Sequence, residues 1–166
     1  MPIYFYSVRE EPYGGFSNFS PHGFEHQGLW WPTSEHFFQA QKFVADPGTA
    51  PWAEHNRTAR KPKDAANMGR DRKYRLRPDW EAIKDDLMRL AVRLKFEAHA
   101  DLRELLLATG SEPIVENAPG DFYWGCGADG SGKNMLGIIL VETRELLSDR
   151  PSRSAIESRP SPSGSA

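Results

Sequence analysis

Cysteine is nearly absent: Cys126 stands alone among 166 residues. That excludes an intramolecular disulfide and suits a reducing compartment. No apolar run approaches the roughly 20 residues of a transmembrane helix. Met1-Pro2-Ile3-Tyr4 also lacks the basic and apolar regions of a signal peptide, so a cytoplasmic protein is expected. No excess of one charge exists either: at a net charge of −2 the whole chain has no pull on nucleic acid or an anionic membrane, and any such affinity must be local. The five histidines, His22, His26, His36, His55 and His99, show no ligand spacing, and Cys126 has no partner cysteine. Neither a metal site nor any other cofactor is expected. There is no G-x-S-x-G to mark a serine hydrolase, no base beside Cys126 to make it a nucleophile, and no internal repeat.

Aromatic residues, by contrast, are plentiful: five Trp, nine Phe and five Tyr. They serve a core, and a surplus of them also suits stacking on a flat ligand. With 39% hydrophobic and 27% charged residues, the composition supports one core in one domain. Ile3 to Val8 has strand composition. Tyr13 to Pro21 reads as an aromatic loop carrying Ser17, Asn18 and Phe19, and Phe24 to Trp31 as strand with a turn at Gln27-Gly28. Helices are expected over 34–45, from Asp79 through about 96, over 102–108 up to Gly110, and to about Leu147, with a short strand at Pro113-Ile114-Val115. In the long helix, Trp80, Ile83, Leu87, Leu90, Ala91 and Leu94 form the apolar stripe; in the last, Leu136, Leu140, Leu146 and Leu147 do. Trp80, in the first turn, either completes the core or leans into a cleft. The ordered domain is expected to span 1–148. From 149 to 166, six serines and three prolines follow Asp149 and Arg150, a composition expected to stay disordered.

The densest chemistry lies in Trp30-Trp31-Pro32-Thr33-Ser34-Glu35-His36-Phe37-Phe38-Gln39-Ala40-Gln41-Lys42-Phe43. Thr33 is a helix N-cap, and Glu35 falls where the helix dipole favours a carboxylate. Phe37, Ala40 and Val44 share one face, while Glu35, Gln39 and Lys42 share the opposite one. That polar stripe is either a solvated surface or the wall of a pocket. Between Arg57 and Arg77, nine basic residues accompany two acidic ones, which is either a solvated basic face or a receiver for an anionic group. Within it, Met68-Gly69-Arg70-Asp71-Arg72 reads as a loop whose arginines suit phosphate.

Gly127 to Asn134 nearly matches a phosphate-binding P-loop, but Asn134 stands where Ser or Thr should hold magnesium, and no buried strand precedes it. A weaker expectation survives: Gly132 and Asn134, leading into a helix, offer backbone N–H groups to an anion. Together, flat aromatics, cations and the carboxylates Glu35 and Asp121 (the latter close to Trp124) describe a site for a base–ribose–phosphate molecule. The natural chemistry there is cleavage of an N-glycosidic bond, in which a carboxylate activates water or steadies an oxocarbenium-like carbon.

Trp31 to Phe43 closely resembles the signature of the YbiA-like family, also called NADAR (NAD and ADP-ribose). Gly15-Phe16-Ser17-Asn18-Phe19, Met68 to Arg72, Asp79-Trp80-Glu81 with its helix, and Tyr123-Trp124-Gly125 through Gly137 are similar to it in the same order, so the resemblance covers about residues 3–148. It implies a helix-rich α+β single domain with a small β-sheet, acting as an N-glycosidase. The substrate implied is a ribosylamino-pyrimidine phosphate of riboflavin biosynthesis, releasing ribose 5-phosphate. Other branches act on ADP-ribose linkages, including ADP-ribosyl groups on guanine in nucleic acid, and a nucleotide-binding module without turnover is the non-enzymatic alternative. Glu35, Trp80 and Trp124 match positions associated with activity, and Lys42 matches a lysine that attacks the anomeric carbon in some members. Phe37, where many relatives have Tyr, and Cys126 are departures. The expected catalytic set is therefore Glu35, Lys42, Trp80, Trp124 and Asp121. The expected substrate-binding set is Asn18, Phe19, Gln39, Arg70, Arg72, Gly132 and Asn134.

Overall fold

The computed structural model describes residues 1–149; the expected Ser/Pro-rich tail from residue 150 onward lies outside the described residues. Strand β1 (Ile3–Phe5) runs parallel to β4 (Ile114–Glu116), pairing Ile3 with Ile114 and Phe5 with Glu116. Strands β2 (Phe24–His26) and β3 (Leu29–Trp31) form a hairpin. Its two-residue turn is Gln27-Gly28, both at positive φ, the backbone that a tight antiparallel turn demands. The helices are α1 (Ser34–Ala40), α2 (Ala50–Arg57), α3 (Pro62–Arg70), α4 (Trp80–Ala98), α5 (Ala100–Ala108) and α6 (Met135–Ser148). The result is the helix-rich α+β arrangement, with little strand.

Helix α1 organises the domain. Thr33 caps it, its hydroxyl accepting from His36 N at 3.1 Å. All seven of its residues are buried. Phe37 and Ala40 pack with Phe24, Trp31 and Phe43, whereas Phe38 packs with Trp80, Met88 and Leu136 in a second cluster. A helix apolar on two sides is enclosed by core, so its remaining side, bearing Glu35 and Gln39, faces an internal cavity rather than solvent. The helix stops at Ala40, short of the expected residue 45. The chain then tightens, with Lys42 N donating to Gln39 O, and Val44, expected on the buried face, is 42% exposed.

Helices α2 and α3 were not expected. Pro62 at the first turn of α3, Asp64 beside it and buried Ala65 and Ala66 account for that helix. Met68-Gly69-Arg70, expected as loop, is its last turn. Asp79 precedes α4 but does not cap it; its carboxylate accepts from Arg77 Nε at 2.7 Å. Leu146 in α6 is exposed, whereas Ile139, outside the expected stripe, is fully buried.

Candidate active site

A cavity of about 740 Å³ opens between α1, the end of α3, the start of α4 and the loop after β4. Glu35, Lys42, Trp80, Asp121 and Trp124 all line it, as do Asn18, Phe19, Gln39 and Arg70. Residues more than 80 positions apart in sequence thus converge on one volume, and its size is ordinary for a small-molecule site.

On one wall, Gln39 Nε2 donates to Glu35 Oε1 at 2.8 Å. Burial pushes the Glu35 carboxyl up, while the Gln39 amide and the Lys42 charge pull against that shift. Gly69 makes room for the pair: a Cβ there would overlap Gln39 Oε1. Its carbonyl accepts from Lys42 Nζ at 3.1 Å and from Arg72 Nη1 at 2.9 Å. Burial first, then the Arg72 charge, pushes the Lys42 amine down to about 8. Lys42 Nζ lies 5.4 Å from the Trp80 ring centroid.

The aromatic wall is a connected set. Phe38 meets Trp80 with centroids 5.0 Å apart and Trp124 edge-on at 5.2 Å. Asp121 fixes Trp124 by accepting from the backbone N–H groups of Tyr123 and Trp124 at 3.0 and 2.8 Å. That bonding makes Asp121 a fastener of the loop. Asn18 is similarly engaged, accepting from Ser34 Oγ at 2.9 Å.

Three expected residues do not line the cavity. Arg72 reaches Gly69 instead. Gly132 is packed so tightly that a Cβ would overlap Gly125 and Cys126. The N–H groups leading into α6 are consumed by carbonyls: Lys133 by Phe122, Asn134 by Gly125, Met135 by Tyr123 and Leu136 by Trp124. The anion site expected there is therefore occupied by main chain. Asn134, in the left-handed region at φ 53°, spends its side chain on β4, accepting from Glu116 N and donating to Ile114 O, each at 2.9 Å.

Sequence reasoning passed over Glu116, Lys84 and Tyr6, which also line the cavity. Glu116 ends a short apolar strand, and a lone carboxylate in that position was the available signal. Burial first, then Asp121 and Glu35, pushes its carboxyl up to about 8. Among the described residues, no group of three or more His, Cys, Asp or Glu is placed to hold a metal ion, and no helix is long and apolar enough to cross a membrane.

Comparison with known proteins matches residues 4–148 to the NADAR domain. An N-glycosidase of Nostoc punctiforme is 50% identical over 149 residues, covering 89% of this chain and 93% of that protein. The N-glycosidase YbiA of Escherichia coli is 50% identical over 145 residues, 87% and 88% of the two chains. A chloroplastic riboflavin biosynthesis protein of Zea mays is 36% identical, covering 87% of this chain but 25% of that protein. The solution NMR structure of Escherichia coli YbiA superposes with a TM-score of 0.81 at 46% identity, covering 92% of this chain and 90% of that one.

Proposed function

The chain belongs to the NADAR domain family, and from that premise we propose that it is an N-glycosidase hydrolysing a ribosylamino-pyrimidine phosphate of riboflavin biosynthesis and releasing ribose 5-phosphate. The N-glycosidase names of the Nostoc and Escherichia relatives support the reaction type, and the maize relative's name, over the quarter of that protein which matches, supports a link to riboflavin biosynthesis. The observation that carries the reading is the Glu35–Gln39 pair, facing a cavity walled by Trp80 and Trp124.

Glu35 takes a proton from the water that attacks the anomeric carbon, and its negative charge steadies the oxocarbenium-like transition state. Gln39 favours the charged form it needs. Trp80 and Trp124 hold the departing base flat, and Arg70 at the end of α3 receives the phosphate. Lys42 balances the charge of Glu35. A covalent role for Lys42 is a second reading, favoured by its burial beside Arg70 and Arg72, which enlarges the neutral, nucleophilic fraction. The reaction is set in a reducing cytoplasm, in keeping with the single free thiol of Cys126.

An ADP-ribosyl hydrolase acting on modified guanine is the alternative substrate class. Exposed Tyr6 and Phe19 at the cavity mouth favour it, since they offer rings to a second base.

Mass spectrometry of wild type and Glu35→Ala with both substrates separates these readings. Ribose 5-phosphate from the ribosylaminopyrimidine phosphate, lost in the variant, is the expected result. Turnover of the ADP-ribosylated oligonucleotide alone, steeply salt-dependent, moves the protein to the alternative class. Turnover of neither leaves a binding module.

A further inference from the structure

Glu116 is the last residue of β4, and its backbone is anchored from three directions. It pairs opposite Phe5, its N–H donates to Asn134 Oδ1 at 2.9 Å, and its carbonyl accepts from Cys126 N at 2.9 Å. The side chain reaches the cavity, yet Oε2 is buried and has no hydrogen-bond partner among the described residues. The two other carboxyl groups of the cavity differ. Glu35 Oε1 receives the Gln39 amide, and Asp121 Oδ1 receives two backbone N–H groups. A buried carboxylate oxygen without a donor is costly, and a carboxylic acid in the same place is much less so.

We propose that Glu116 is the general acid of the glycosidase reaction, delivering its carboxyl proton to the departing nitrogen of the base. The inference rests on the N-glycosidase reading above. The C1–N bond breaks with its electron pair going to nitrogen, and the Glu116 proton goes to that nitrogen. Water adds to C1 and its proton goes to Glu35. The products are the free amine of the base and ribose 5-phosphate, after which both carboxyls re-equilibrate with solvent. Two carboxyls with different partners thereby divide the acid and base roles.

Burial, reinforced by Asp121 and Glu35, places the Glu116 carboxyl at about 8, so it holds its proton at neutral pH. The other charged or titratable groups on the elements around it are Lys42 after α1, Arg70 of α3, Lys84 of α4, Tyr6 after β1 and Tyr123 after β4.

The test is the isosteric Glu116→Gln, which can donate a hydrogen bond but cannot give up a proton. On the ribosylaminopyrimidine phosphate, kcat is expected to fall about 100-fold or more, with KM within about threefold. The alkaline limb of wild-type kcat/KM, centred near 8, should vanish. Wild-type kcat, or an alkaline limb that persists in the variant, overturns the proposal and hands that limb to Lys42. A second readout needs no turnover. The native state binds a proton at Glu116 between about 4.5 and 8 that the unfolded state has lost. Wild type therefore loses stability relative to Glu116→Gln as pH rises through that window, and the Tm gap in favour of the variant should open there. A gap that stays flat overturns the protonated carboxyl whatever the substrate. If the gap opens but wild type cleaves no ribosylamine, the glycosidase reading itself falls and takes the acid role with it.

Discussion

Gln39 Nε2 lies 2.8 Å from Glu35 Oε1, one helical turn along α1, and both residues are buried at the cavity wall. This contact decides whether Glu35 is a base. Burial drives the carboxyl toward its neutral form, and the amide is the first force opposing it. Gln39→Met keeps the length and removes the donor, so the Glu35 carboxyl should climb further. The acid limb of kcat is then expected to move to higher pH, with activity lost on that limb and kept on the plateau. A pH–rate profile unchanged from wild type would show that Glu35 does not depend on this bond.

Gly69 tests the same contact from the other side. Any Cβ there overlaps the Gln39 amide, so Gly69→Ala should turn Gln39 away from Glu35 without touching either residue by substitution. Loss of one hydrogen bond to a charged group is worth about 1.5–3 kcal/mol, so kcat should fall about 10- to 100-fold. The same lost bond lowers stability, so Tm should fall by several degrees alongside kcat; calorimetry beside kinetics checks both. A large fall in Tm with kcat intact would assign Gly69 to packing alone.

Much of this site could be read in the sequence because its residues sit in one continuous stretch. Glu35, Gln39 and Lys42 recur at helical spacing, and the hairpin turn announces itself in Gln27-Gly28. What the spacing left open was whether the stripe met water or a cavity. That answer depends on Trp80 and Trp124 arriving from distant segments to close the volume around Phe38. Glu116 was missed for the same reason: its burial is created by β1, Asn134 and the loop at Cys126, none of them its neighbours in sequence. The Gly127–Asn134 loop misled in the opposite direction. Gly132 is instead required by close approach of main chain and Gly127 and Gly130 by their positive φ, and the amides from Gly132 to Leu136 are already spent. Helices α2 and α3 escaped notice because both are short and rich in polar residues: α3 does turn an apolar face of Ala65, Ala66 and Gly69 inward, but it lies in a stretch whose basic residues dominate.

Lys42 should be the most reactive lysine toward a limiting acylating reagent at pH 7.5 among those facing the cavity. Its amine lies at about 8 against about 10.4 for an ordinary lysine, so its neutral fraction is roughly a hundredfold larger. Removing a neighbouring cation raises it again, and Arg72→Gln should slow the modification. Peptide mapping by mass spectrometry measures both. Faster labelling in Arg72→Gln would show that Arg72 protects Lys42 by covering it rather than by its charge. Reduction with cyanoborohydride in the presence of substrate adds the covalent test, since an adduct of ribose phosphate mass on Lys42 selects the nucleophilic role.

Lys95 offers a prediction about stability in place of chemistry. It is 1% exposed, and its Nζ donates to Ser17 O at 2.8 Å. Burial alone pushes its amine down to about 7. Between about 7 and the ordinary value of 10.5 the unfolded chain therefore holds a proton that the native chain has released. The cost of burying Lys95 is full below about 7 and fades as pH rises toward 10.5. Lys95→Met fills the same volume with an apolar side chain, and Ser17 O keeps a partner because Ser20 N also donates to it, at 3.1 Å. The variant should be more stable than wild type by about 2 kcal/mol at pH 6. That advantage should shrink steadily up to pH 10, as followed by chemical denaturation. Taking the difference between the two proteins at each pH cancels the carboxyls, whose raised values work in the opposite direction through Glu35 and Glu116. If Lys95→Met is destabilising at pH 6, the bond to Ser17 O outweighs desolvation, and Lys95 serves to pin the loop that carries Asn18 into the cavity.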